Sequence, residues 1–248
     1  MITTLITGAT GGIGLELAKI YAQRGDRLLL VGRRPHSDLD SDFFTVERYI
    51  HADLDQPDAA ERIAAHMDAY GVTTLDRLIH NAGTGYYGRV AEQTPDNITA
   101  VVDVNFAAPV AITHRLLPHL KAAHGRVVFI SSVVSSVPTA DYAVYTATKA
   151  ALDGFAYNLR IEHGDEITVQ VMHPGATRTD MHRKIGITPA DMDTSKFPLP
   201  EDVAAQIAAA VDRDARKAVI GGTNKVLHWA GEHAAWILDP LMKRSAAK

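Results

Sequence analysis

Seven short apolar runs rich in β-formers alternate with longer stretches of helical periodicity, and that alternation leaves this chain few folds to adopt. The runs are Ile2 to Ile6, Arg27 to Val31, Phe44 to His51, Arg77 to His80, Arg126 to Ser131, Ile167 to His173 and Lys217 to Ile220. Helical patterns fall near 12–25, 57–70, 95–122, 141–163 and 200–213. Strands separated by helices pair in parallel, because a parallel partner is reached only through a crossover, and strands covered on both faces read as unbroken apolar runs. The expectation is an α/β fold of Rossmann type, a doubly wound parallel sheet of seven strands flanked by helices. With 248 residues, 46% of them hydrophobic, and with no repeat, low-complexity tract or linker, residues 1–248 read as one domain around one sheet.

In such folds ligands bind beyond the carboxyl ends of the strands. The first run passes into Thr7-Gly8-Ala-Thr10-Gly-Gly12-Ile13-Gly14 and then into the helical pattern Leu15, Leu17, Ala18, Tyr21, Ala22. Strand, glycine turn and helix in succession are the context that a dinucleotide site requires. Gly8 permits the tight turn, Gly12 lets backbone approach a pyrophosphate, and Gly14 lets the helix pack closely. The phosphates would sit at the helix N-terminus, where free N–H groups and the dipole favour anions. The second run ends Val31-Gly32-Arg33-Arg34, with no carboxylate to accept from a ribose 2'-hydroxyl. Two guanidinium groups there suit a 2'-phosphate, which favours NADP(H) in preference to NAD(H).

Tyr145 and Lys149 are four apart in a helical pattern, so they share a face, and Ser132 stands thirteen residues before the tyrosine. A phenol, an ammonium and a hydroxyl so placed can address one carbonyl oxygen. A free phenol titrates near ~10 and a neighbouring cation favours its ionised form, so Lys149 is the group that would make Tyr145 useful near neutrality. Tyr142 is the rival phenol, but the residue four beyond it is Thr146. Ser131, Ser135 and Ser136 read as turn-forming hydroxyls.

The G-x-x-x-G-x-G spacing on Gly8, Gly12 and Gly14, followed by Asn81-Ala82-Gly83, Asn105, Ser132 and Tyr145-xxx-Lys149, resembles the short-chain dehydrogenase/reductase family over nearly the whole chain. The resemblance implies hydride transfer between nicotinamide and a carbonyl carbon. Tyr145 would then be general acid and base, Ser132 would hold the reacting oxygen, Lys149 would lower the tyrosine pKa and bind the ribose, and Asn105 would help hold a proton-relaying water. It further implies that Asp53 and Leu54 meet the adenine and that Asn81, Ala82 and Gly83 let backbone approach the ribose, with His80 where many relatives carry a first Asn. Pro174, Gly175, Thr177 and Thr179 would pack against the nicotinamide. Homodimers or homotetramers built on the helices of 96–122 and 142–163 are implied as well.

A net charge of -4 with interspersed signs offers no basic stripe for nucleic acid. Without cysteine there are no disulfides or thiolate metal sites, and His114, His119 and His124, five apart, do not align, so no metal is expected. No run is read as membrane-spanning and no cleavable leader is visible, which makes cytoplasm the default. The apolar pattern from Val226 to Leu241 reads as a helix packed on the body or on another subunit, ahead of a membrane-surface helix, which would carry a stronger basic face. Tyr86, Tyr87, Val133, Val134, Pro138, Tyr142 and Met181 would line a pocket for a neutral ketone, aldehyde or alcohol, with Arg178 and Arg183 the only anchors for charge and 179–200 a lid. The contrasting reading is a non-catalytic, nucleotide-responsive binding protein of the same fold, which the presence of Ser132, Tyr145 and Lys149 disfavours. Epimerisation or dehydration would call for a longer substrate domain.

Overall fold

The computed structural model of the chain describes residues 1–187, 193–234 and 236. Its strands are β1 (Thr3–Thr7), β2 (Arg27–Gly32), β3 (Tyr49–His51), β4 (Arg77–His80), β5 (Arg126–Ile130), β6 (Thr168–His173) and β7 (Lys217–Val219). They form one sheet in the order β3-β2-β1-β4-β5-β6-β7, every pair parallel. The order reverses direction at β1, and the crevice where β1 and β4 part is where such sheets take ligands. The helices are α1 (Gly12–Gln23), α2 (Ala59–Ala69), α3 (Pro95–Val102), α4 (Ala108–Ala122), α5 (Ala143–His163), α6 (Asp180–Lys184), α7 (Pro200–Asp212) and α8 (Gly222–His233).

Strand side chains alternate between two cores. Leu5, Leu29, Val31 and Leu78 point to the layer of α2, α4 and α5, whereas Ile6, Leu28, Leu30 and Ile79 point to the layer of α1 and α7. A parallel sheet buried on both faces needs this doubling, and it accounts for the lack of polar alternation in the strand sequences.

Three expectations need revision. The third strand is three residues long, not eight, because the segment before it folds into turns: Phe44 N–H donates to Asp40 O at 2.8 Å and Tyr49 N–H to Thr45 O at 2.9 Å. Phe44 is buried edge-on against Tyr49, 5.7 Å between ring centroids, while Val46 faces solvent, so apolarity there reflects local packing and not a ladder. The stretch Pro95–Ala122 is, by length and composition, apolar enough to cross a membrane. Its Ile112, Leu116 and Leu120 are nonetheless fully buried against the sheet, which is what a core helix does. This stretch is also not one regular helix, since a π-turn at Asp103–Ala107 joins α3 to α4.

The C-terminal helix starts before the expected Val226, and 235 together with 237–241 lies outside the described residues. Its inward face is polar: His228 is buried, and Asn224 Nδ2 donates to Ile220 O at 2.6 Å. Val226, Leu227, Trp229 and Trp236 face outward, so these four side chains do not pack on the body.

Candidate functional site

The site lies at the carboxyl ends of β1, β4, β5 and β6. The turn after β1 is built on close approach. Gly12 holds a positive φ of 56°, and an added Cβ there would meet Thr179 Cγ2 at 3.0 Å. At Gly14 an added Cβ would come within 2.3 Å of Gly8 O and 2.4 Å of Asn81 Nδ2. Asn81 explains the second figure: its Nδ2 donates to Thr7 O at 3.0 Å and to Gly8 O at 3.2 Å, and the backbone N–H groups of Asn81 and Ala82 both donate to Thr7 Oγ1 at 3.1 Å. The Asn81 side chain thus braces the glycine turn instead of facing a ligand. Gly14 packs against this braced turn and not on the sheet.

α1 begins at this turn with Gly11 as its N-cap, no side-chain cap and no acidic residue in its first turn. Its leading N–H groups are those that an anion satisfies. Ile13 packs against the buried cluster under α1, and Thr10 O accepts from Arg34 Nη2 at 2.8 Å. Arg33 and Arg34 are both exposed, and the chain that carries them is fixed by Tyr49, whose hydroxyl donates to Arg34 O at 2.5 Å, and by His51 at Arg33 O, 3.1 Å. After β3, Leu54 is buried and Asp53 half-buried in the turn that its carbonyl closes with Gln56 N–H at 3.2 Å. These residues form a cradle with backbone donors at one end and two cations at the other. That fits a dinucleotide.

The reactive trio comes together as the spacing demands. Ser132 follows β5, buried, and its Oγ accepts from Val134 N–H at 3.3 Å, leaving its own proton to donate. Tyr145 and Lys149 lie on α5, with Nζ 5.7 Å from the phenol ring centroid. Lys149 is buried, and Nζ donates to Ile130 O at 2.9 Å. Gly83 is exposed above it, the position of its missing Cβ 3.7 Å from Nζ and 3.5 Å from Asn105 Oδ1, so no side chain comes between the ammonium and the cleft at Gly83.

Burial raises the Tyr145 phenol to about 12, with a hydrogen bond to Ser132 pulling the other way, and burial lowers Lys149 to about 8, opposed by the charge of Asp153. The expectation that Lys149 lowers the phenol pKa is thus not met by the side chains alone. Here desolvation governs Tyr145, and the ammonium is tied over the ring face to a carbonyl. Tyr142 stands 6.0 Å from Tyr145 and 5.4 Å from Tyr87, ring to ring, and burial also raises its phenol. It has neither a serine nor a lysine beside it.

Asn105 sits at the π-turn, and its contacts are intramolecular: Oδ1 accepts from Thr84 N–H at 2.8 Å, and Nδ2 donates to Thr84 O at 2.9 Å and to Thr148 Oγ1 at 3.1 Å. It fastens the strand of chain after Gly83 to α5. Such π-turns recur at functional sites.

Beyond β6, Pro174 O accepts from Val133 N–H at 3.0 Å, which joins this segment to the Ser132 turn. Gly175 lies under Asn224, where a Cβ would be 2.4 Å from Nδ2. Thr177 is buried and donates to Gly175 O at 3.1 Å, so its hydroxyl is spent locally, whereas Thr179 lies against Gly12. α6 closes over the tyrosine: Met181 Cε, Tyr145 Cδ2 and Ile185 Cδ1 all lie 3.5–3.7 Å from where a Cβ on Gly85 would be. Of the two arginines expected to anchor charge, Arg178 is engaged by backbone, whereas Arg183 is exposed with only a loose surface pair. Arg178 donates to the carbonyls of Ser195 and Phe197, and Arg183 pairs with Asp180 at 3.5 Å. Residues 188–192 of the proposed lid lie outside the described residues.

Asp153, four beyond Lys149, and His173, just before Pro174, were not singled out by sequence. His173 Nε2 donates to Asp153 Oδ2 at 3.0 Å, and its ring centroid is 4.5 Å from that of His228. The continuing four-residue step from Tyr145 to Lys149 to Asp153 was the available signal. Among the described residues no group of three His, Asp or Glu side chains converges to hold a metal ion.

Comparison with known proteins agrees with this geometry. Residues 3–190 match the short chain dehydrogenase family model, so the chain belongs to that family. It is 30% identical over 249 residues to an 11-beta-hydroxysteroid dehydrogenase A of Sesamum indicum, covering 91% of this chain and 70% of that one. The chain spans about two thirds of the length of the first curated relatives it matches. Among solved structures, a short-chain dehydrogenase from Sphingobium yanoikuyae in complex with NADPH superposes with a TM-score of 0.76 at 26% identity, covering 100% of this chain and 94% of that one. A 4-hydroxyisoleucine dehydrogenase complexed with NADH has a TM-score of 0.78 at 24% identity, covering 90% and 98%, a likeness of fold.

Proposed function

We propose that this chain is an NADP(H)-preferring oxidoreductase that interconverts a neutral ketone or aldehyde and its alcohol. The observation that carries the proposal is the convergence of Ser132, Tyr145 and Lys149 beside a glycine turn able to take a pyrophosphate. The bound nicotinamide supplies or accepts the hydride. In reduction the Tyr145 hydroxyl passes its proton to the carbonyl oxygen as charge develops there, and Ser132 Oγ–H donates to the same oxygen and fixes its position. In oxidation the phenolate takes that proton back. Lys149 keeps two N–H groups beyond its bond to Ile130 O for ribose hydroxyls under Gly83.

Preference for the 2'-phosphate is supported by Arg33 and Arg34 and by Arg34 being tethered to Thr10 O beside the turn. Relatives of this fold take either coenzyme, as the NADPH and NADH complexes above illustrate. A neutral, bulky substrate is supported by the wall of Tyr87, Tyr142, Val134 and Met181 and by the engagement of Arg178 with backbone, and it accords with the steroid dehydrogenase relative. Assembly into homo-oligomers is supported by an apolar groove of about 400 Å³ between Val102, Phe106, Val144, Ala147 and Ala151, with Tyr157 and Ile161 exposed further along α5. The test is a panel of ketones, aldehydes and alcohols followed by nicotinamide absorbance with NADPH and NADH in parallel. Turnover of a neutral carbonyl with NADPH ahead of NADH supports the proposal; no turnover with either coenzyme on any member would overturn it.

A further inference from the structure

Asp153 stands one helical turn beyond Lys149 on α5, where three segments that carry the site meet. Its Oδ2 accepts from His173 Nε2 at 3.0 Å, and His173 is the last residue of β6 before Pro174. The hydroxyls of Ser131 and Ser135, on either side of Ser132, face the same carboxylate without closing hydrogen bonds of ordinary geometry, and Oδ1 is shut off from solvent. Pro174 O in turn holds Val133 N–H. The carboxylate therefore ties α5 to the end of β6 through His173, while the Ser132 turn meets the lysine helix through Ser131 Oγ, which donates to Lys149 O at 3.3 Å.

The neighbours favour that charge. Burial works to protonate Asp153, yet the His173 donor and the two serine hydroxyls outweigh it and hold the carboxyl below its ordinary value. The other titratable groups around it are few. On α5 they are Lys149 and, a turn earlier, Tyr145. Behind His173 lies His228 of α8, which meets Ser136 Oγ at 2.8 Å, and His228 is backed by Glu232 at 3.5 Å, itself paired with Lys217 of β7. Glu232 is satisfied by Lys217, so Asp153 is the carboxylate that serves the buried ammonium.

We propose that Asp153, held in place by His173, is a positioning residue for the reaction: its charge keeps Lys149 protonated inside the protein and its bond to His173 ties the end of β6 to α5. The inference rests on the oxidoreductase reading above. It predicts that charge, and not bulk, matters at this position. In Asp153→Asn the alkaline fall of kcat/KM for carbonyl reduction, set by loss of the Lys149 proton, moves down by about one pH unit, the low end of what removing a nearby opposite charge does to a buried group. Above that limb the variant is about tenfold slower than the native chain, and well below it the two converge. Asp153→Glu restores the native limb. Should the Asn chain fail to fold, the Glu and Gln chains, alike in size and different in charge, make the same comparison. Coincident limbs in native and neutral variants, or a loss equal at every pH, would overturn the inference while leaving the function intact. A native chain without turnover would overturn both.

Discussion

Gly14→Ala tests whether the braced turn is the keystone of the coenzyme cradle. A methyl at this position arrives 2.3 Å from Gly8 O and 2.4 Å from Asn81 Nδ2, distances that real Cβ contacts do not reach, so the turn or α1 must shift. Overpacking of this kind costs about 1–3 kcal/mol. Moving Asn81 also loosens its bonds to Thr7 O and Gly8 O, at about 1 kcal/mol for each one lost. The total is about 2–4 kcal/mol, which for a chain of this size lowers Tm by about 5–15 °C. NADPH affinity falls with it, because the displaced backbone is the part that would meet the pyrophosphate. The control is Gly11→Ala: Gly11 is extended, with φ of -178°, and nothing lies within 4 Å of its missing Cβ. Thermal melts with and without NADPH, on both variants, decide the matter. If Gly14→Ala melts within 2 °C of the native chain, roughly the noise of such shifts, the close-approach argument is wrong.

Arg33→Ala with Arg34→Ala removes two charge-assisted donors, so KM for NADPH rises about tenfold or more while KM for NADH stays nearly flat; equal rises in steady-state assays would show that these arginines do not read the 2'-phosphate. His80 is fully buried against Thr113 Oγ1, 2.9 Å, and burial lowers it from 6.5 to about 3. Its folded pKa lies below its unfolded one, so the unfolded chain takes up the proton first and stability drops as pH falls from 6.5 towards 3, at about 1.4 kcal/mol per pH unit. Urea midpoints at pH 7 and pH 4 for the native chain and His80→Asn check this, and parallel slopes would contradict it.

The glycine turn, the trio on Ser132, Tyr145 and Lys149, and the seven-strand order of elements were legible because each depends on local spacing: a turn needs its glycines in sequence, and a helix brings i and i+4 together wherever it packs. What was not legible depends on contacts across the chain. Asn81 reads only as part of a turn that lets backbone approach the ribose, and the bond of its side chain to Gly8 O, 73 positions away, shows only in the fold. Arg178 reads as a free cation until the backbone of 195 and 197 folds onto it. The tyrosine pKa was inferred from its lysine neighbour alone, whereas burial by α6 and the loop at Gly85, distant in sequence, decides its direction. Phe44 to Arg48 has strand composition, but β3 pairs with β2 over three residues, and the segment before it folds into turns that bury Phe44 and leave Val46 in solvent.

The account stands on the phenol of Tyr145 as the proton donor, and Tyr145→Phe removes that oxygen while keeping the ring. With a carbonyl substrate found in the panel, turnover should fall by about 10²- to 10⁴-fold while NADPH titrated by fluorescence binds within about threefold of the native affinity. Turnover left at the native level would contradict the account.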